Sequence, residues 1–232
     1  MSQTYESRIL DHLGLVAGMC DELGLSDRID ECIAQDTEQR TVSVGQAVKA
    51  MILNGLGFTE QRLYLTPQFF ATKPTERLIG AGIKPEHLND DALGRALDAL
   101  YDYGITELFR DLAAHAAARL ELTPRFVHLD ATSFHVDGTY NSETAEPEEG
   151  VVHIRKGYSR DHRPGLNQVV LDLMVEHQAG LPVLMEALSG NASDQGSFPE
   201  LIDRHLSHLQ NAHGFEYVVA DSALYSADHI RR

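Results

Sequence analysis

At 232 residues, with 43% hydrophobic and 23% charged side chains, the chain has the composition of an ordinary globular protein, which excludes a disordered or fibrous polymer. Its formal net charge of -16 excludes binding of nucleic acid over the whole surface, because such a surface is normally basic; any DNA contact has to be local. No stretch approaches the roughly 18 uninterrupted apolar residues of a membrane span, and Met1 to Asp11 is polar and acidic, so the sequence predicts a soluble cytoplasmic protein without membrane contact.

Up to about residue 122 the apolar period is helical. Segments around Ser7 to Leu23 and Ser26 to Gln35 come first and carry Cys20 and Cys32, whose spacing is not that of a zinc site; both are expected as buried or half-buried thiols. From Ser43 to Gly57, Val44, Ala47, Val48, Met51, Ile52 and Leu56 share one face, with Ser43 as N-cap and Gly57 as stop. Thr66 to Pro85 is broken into short pieces by Pro67, Pro74 and Pro85. A helix near Asn89 to Tyr103, capped by Asn89 or Asp90 and closed by Gly104, and another from Ile105 to Leu120, complete an all-helical domain over 1–122.

After Thr123-Pro124 the pattern turns strand-like. Strands are predicted at Phe126 to Val136, Leu166 to Val175, Leu181 to Leu188 and Phe215 to Ala220. The second and third are joined by a turn at Gln178-Ala179-Gly180. An amphipathic helix from Pro199 to Ala212, with Ser197 as cap, precedes the fourth strand, and another helix starts after Asp221. The acidic run Glu143 to Gly150 reads as a solvated loop.

Aspartates mark this second half. Asp130 lies inside the first strand, where burying it unpaired would be costly. Asp221 ends the fourth strand and is either a site residue or the N-cap of the next helix. Asp137, before Gly138, reads as a turn residue. Arg155, Lys156, Arg160 and Arg163, opposed only by Asp161, form the most basic short stretch; it reads as a phosphate-contacting loop or a solvated one. His128, Asp130, His135 and Asp137 suggest a mononuclear metal hydrolase, but His135 falls on the other strand face from His128 and Asp130.

The order strand, strand, strand, helix, strand, with aspartates at those two places, is the front half of a ribonuclease H-like fold. The segments HLDATSFHVDG (128–138), KGYSRDHRPGLNQ (156–168), LSGNASD (188–194) and FEYVVADSALYS (215–226) resemble a branch of DDE-type insertion-sequence transposases. So do SVGQAVKAMILNGLGF (43–58) and LNDDALGRALDALY (88–101) in the helical half. The resemblance implies an α+β chain: a helical domain over 1–122 for transposon-end binding or dimerisation, then an incomplete ribonuclease H-like α/β domain over 123–232 containing strands 1 to 4 of a mixed sheet.

It further implies that Asp130 and Asp221 are catalytic carboxylates binding Mg2+ or Mn2+ for DNA cleavage and strand transfer, since hard divalent cations prefer carboxylate oxygens. The first and fourth strands would be adjacent and parallel. The loops Gly157 to Gly165 and Ser189 to Gly196 would then rim the metal site, with Arg155, Lys156, Arg160, His162 and Arg163 as DNA-phosphate contacts. Asn191 and Asp194 would be supporting groups or plain turn formers.

In the family the third carboxylate is a glutamate on a helix beyond a fifth strand, and Glu200 and Glu216 stand in the wrong elements to replace it. The sequence therefore predicts a C-terminally truncated transposase, inactive alone, whose partners are transposon-end DNA, further copies of itself or intact transposase. The alternatives are a non-catalytic DNA-binding or regulatory form and an unrelated metal-dependent hydrolase. A DNA patch in the helical half would have to concentrate around Arg62, Lys73, Arg77 and Arg95.

Overall fold

The structure, a computed structural model, describes residues 7–35, 40–57, 62–138, 140, 150–158, 163 and 165–221. The chain is α+β, with helices first and a four-stranded mixed sheet after them. No described helix is long and apolar enough to cross a membrane. It divides into two compact units, 1–108 and 109–232. The boundary falls inside a helix rather than near residue 122, where the apolar period changes. From Phe109 onward that helix belongs to the second unit, and its Arg110 guanidinium meets the His205 ring nitrogen at 3.4 Å.

In the first unit, α1 (Leu13–Glu22), α2 (Leu25–Cys32) and α3 (Val44–Gly55) pack together. Val44, Ala47, Ala50 and Leu53 of α3 are buried, and each fully buried leucine or valine contributes about 1.5–3 kcal/mol. Ser43 caps α3 as expected: its hydroxyl accepts from the Gln46 N–H at 3.1 Å, while the Gln46 side chain accepts from the Ser43 N–H at 3.1 Å. Gly45 lets α3 approach α2, since a Cβ there would lie 2.1 Å from the Ser26 carbonyl oxygen. Cys20 is buried and Cys32 half-buried, both as free thiols, and burial pushes the Cys20 thiol above its ordinary pKa.

The proline-broken stretch forms α4 (Thr66–Ala71), α5 (Thr75–Leu78) and two single 3-10 turns, Leu63–Leu65 and Pro85–His87. Then come α6 (Asp90–Tyr103), whose Asn89 side chain accepts from the Ala92 N–H at 2.9 Å, and α7 (Ile105–Arg119), separated by Gly104 at φ 100°.

The sheet comprises β1 (Phe126–Val136), β2 (Asn167–Glu176), β3 (Pro182–Ser189) and β4 (Tyr217–Ala220) in the order β3-β2-β1-β4. β1-β2 and β2-β3 are antiparallel; β1-β4 is parallel. α8 (Asp194–His213) connects β3 to β4 and buries Phe198, Leu201 and Leu209 in one core with Val127, Leu129, Ala131 and Met174. α8 begins five residues before the expected Pro199. Proline lacks only its own N–H, so one bond is forgone near the helix start while the flanking turns continue. The acidic run 143–149 and the segment after Asp221 lie outside the described residues.

Candidate functional site

Alternation along β1 sorts its side chains. Val127, Leu129 and Ala131 point into the core beneath α8, whereas His128, Asp130 and Thr132 are exposed on the other face. The Asp130 carboxylate is exposed, so the cost of burying it does not arise. Asp172, opposite Ala131 and fully buried, faces the core side and lies across from Glu186, which ion-pairs with Arg204.

Register brings the two singled-out aspartates together. The parallel pairing runs from Phe126 opposite Tyr217 to Leu129 opposite Ala220; Asp130 is the next residue of β1 and Asp221 the first residue after β4, so the register continued by one residue sets them level. Asp221 is exposed, and the same alternation puts it on the face of Tyr217 and Val219, hence of His128 and Asp130. Neighbouring strands lie about 4.8 Å apart, a spacing at which two carboxylates can share a cation. The Asp130 carboxylate accepts the Ala131 N–H at 2.8 Å. Among the described strand residues, no other carboxylate occupies this face, because Asp172, Glu176 and Glu186 all project to the core side.

The register is fixed where the two strands begin. Phe126 stacks on Tyr217 with ring centroids 5.0 Å apart and planes 20° from parallel. Arg125 ion-pairs with Glu216 at 3.0 Å, and its carbonyl accepts from both the Glu216 and the Tyr217 N–H. Periodicity alone assigns no role to these four residues, although an aromatic and a charged residue at the start of both strands are a visible signal.

The basic stretch meets the sheet beyond Asp130. Arg155 forms an isolated antiparallel bridge with Gln168, which stands opposite His135, five residues along β1 from Asp130. At about 3.3 Å per residue that is roughly 16 Å. The described parts of the loops, 153–158 and 189–191, gather at the end where β1 exits. Gln168 ties them together: its buried side-chain N–H groups donate to the Gly190 carbonyl at 2.7 Å and the Tyr158 carbonyl at 3.1 Å. Lys156 and Arg163 are exposed there and Arg155 is half-buried; Arg160 and His162 lie outside the described residues.

His128 shares the face of Asp130, and His135 lies on the core side opposite Gln168. No group of three or more His, Cys, Asp or Glu residues among the described residues is arranged to hold a metal ion. The aspartate pair suits a hard divalent cation through its donor chemistry, two oxygen ligands with solvent free to supply others.

Residues 5–114 match the model of a domain of unknown function (DUF4277). No curated protein and no solved structure matches the chain.

Proposed function

We propose that the protein acts on DNA as a DDE-type transposase chain, with a ribonuclease H-like second unit in which Asp130 and Asp221 hold Mg2+ or Mn2+. The observation that supports this most is the parallel register of β1 and β4, which, continued by one residue, sets the exposed Asp130 and Asp221 level. The order β3-β2-β1-β4, with only the β1-β4 pair parallel, also agrees with a ribonuclease H-like sheet.

Bound there, the metal supplies Lewis-acid activation of phosphoryl transfer. The two carboxylates orient it, and the Phe126-Tyr217 clamp keeps them level. Lys156, Arg155 and Arg163 hold the DNA backbone farther along the strand, as positioning contacts that read no sequence. Cleavage and strand transfer need a third acidic ligand from outside the described residues.

The test is Mn2+ binding by the full chain, read by electron paramagnetic resonance and by thermal shift. Loss of retention in both Asp130→Asn and Asp221→Asn supports the site. Equal retention in wild type and both variants overturns it, and tight zinc retention dependent on His128 and His135 supports a metal hydrolase instead.

A further inference from the structure

The first unit contains two clefts that neither the aspartate pair nor the basic loop explains. The larger, about 750 Å³, is bordered by Arg8, Arg77 and Lys84 together with Glu76 and Glu86. The smaller, about 170 Å³, is bordered by Arg40, His87 and Arg95, and it shares Glu86 with the first, so the two adjoin. Residues 1–108 hold nine basic and 17 acidic side chains. Five of those nine border these two clefts, against two of the 17 carboxylates among the described residues.

Such a concentration in an acidic unit carries an electrostatic cost. Among the described residues, Arg77, Lys84 and Arg95 form no ion pair, and all three are exposed. Glu76 is already engaged, accepting the Gly82 N–H at 3.1 Å. Arg8 is held in place by donating to the Lys73 carbonyl at 2.9 Å. The basic groups come from Arg8 before α1, Arg40 before α3, Arg77 on α5, Lys84 beside the following turn and Arg95 on α6. The fold gathers them; the sequence does not.

We infer that these adjoining clefts form a phosphate-backbone site for duplex DNA, distinct from the loop at 155–163; the choice of DNA rests on the function proposed above. A single small anion would fill only part of the larger cleft and leave Arg40 and Arg95 unserved. A polyanion running across Glu86 meets both groups. The contacts are to phosphates, so the site positions DNA without reading its bases. Of the patch expected from sequence, Arg77 and Arg95 belong to it. Lys73 instead lies over the Phe69 ring, 4.7 Å from its centroid, and Arg62 borders neither cleft.

The experiment measures fluorescence anisotropy of a labelled random-sequence DNA duplex with the full chain in EDTA over a series of NaCl concentrations. The Arg77→Glu/Lys84→Glu variant is expected to bind about tenfold more weakly or worse, and its salt dependence should flatten by about 0.9 for each phosphate that the protein no longer neutralises. Arg77→Lys should keep near wild-type binding, because a point charge suffices at a positioning contact. Circular dichroism and unchanged Mn2+ retention show that the reversed variant is folded. Wild-type affinity and salt slope in the reversed variant overturn the inference, as does failure of the wild-type chain to bind the duplex. Mn2+ retention is read without DNA, so failure of the metal site is seen separately from failure of the clefts.

Discussion

Phe126 stacks against Tyr217 four residues before Asp130 and Asp221, so an aromatic contact at the entry of two parallel strands sets the register that, continued past Leu129 and Ala220, brings two carboxylates level. A one-residue slip of β4 would turn every side chain to the opposite face and carry Asp221 away from Asp130. The four-residue length of β4 gives it few backbone bonds of its own to resist such a slip.

Separating these rings should therefore affect stability and site together. Phe126→Ala and Tyr217→Ala are each expected to destabilise the chain, and their double-mutant cycle should show a coupling of about 0.5–1.5 kcal/mol. Mn2+ retention should fall in both variants although neither removes a ligand. Additive effects in urea denaturation, with Mn2+ retention intact, would show that the stack does not hold the register.

At the other end of β1 the constraint is steric. A Cβ on Gly157 would lie 1.8 Å from the Gly190 carbonyl oxygen, and one on Gly190 would lie 2.1 Å from that of Gln168. Both obstacles are backbone, which cannot swing aside. Gly157→Ala and Gly190→Ala should each cost at least about 1–3 kcal/mol, the range for forcing extra volume into a packed site. Gly196→Ala is the control: its nearest neighbour is the Ser193 hydroxyl at 3.6 Å, and alanine in a helix gains up to about 1 kcal/mol over glycine. Thermal melts in which all three variants match would refute the close approach.

Helix starts offer a more local check. Ser43→Ala removes half of a reciprocal cap and Asn89→Ala removes a single cap bond, each costing about 0.5–2 kcal/mol. Ser43 is the costlier site, because the Gln46 side chain loses its reciprocal partner while α3 lies buried between α2 and α6. Chemical denaturation showing Asn89→Ala as the more damaging change would contradict this ranking.

These caps were legible in the sequence because their chemistry is local: a hydroxyl or amide three residues ahead of the N–H it accepts. The bounds of β1 were legible too, since alternation over 126–136 is long and sharp. Gly180, at φ 71° in the β2-β3 turn, and Gly104 after α6 were readable for the same reason. What depended on distant segments was not. Pro199 reads as a helix start but sits inside α8, and the unit boundary falls within α7 because packing, not period, decides it. The sequence singles out Asp130 and Asp221, yet the Phe126-Tyr217 contact upstream of them comes into view only with the strand pairing. The basic clefts draw on residues as far apart as Arg8 and Arg95. Arg155 bridges Gln168 opposite His135, and the long β1 places His135 five residues, about 16 Å, past Asp130.

Acid stability should fall in two stages, the first set by His213 and the second by Glu176. His213 ends α8, is buried, and has no partner for either ring nitrogen among the described residues. Burial lowers its pKa, with the nearby Glu176 carboxylate opposing and His208 adding to the decrease. The unfolded imidazole takes a proton below about pH 6.5, whereas the folded one stays neutral to lower pH. The unfolded state then binds more protons, and stability declines as pH falls from about 6.5 through the folded value. Burial raises the pKa of Glu176, but N–H donors of Gln178 at 2.6 Å, Ala179 at 2.8 Å and Leu181 at 2.8 Å outweigh it, and the carboxyl ends below its ordinary value. Its contribution is full above about pH 4.3 and is lost as pH drops through the folded pKa. Urea titrations at neutral, mildly acidic and more strongly acidic pH should show a shallower first decline in His213→Phe. Glu176→Gln should lower stability at neutral pH and flatten the second decline, and by removing the charge that holds the His213 pKa up it should deepen the first. If His213→Phe follows the wild-type profile between about pH 7 and 5.5, the buried ring is not the group that titrates there.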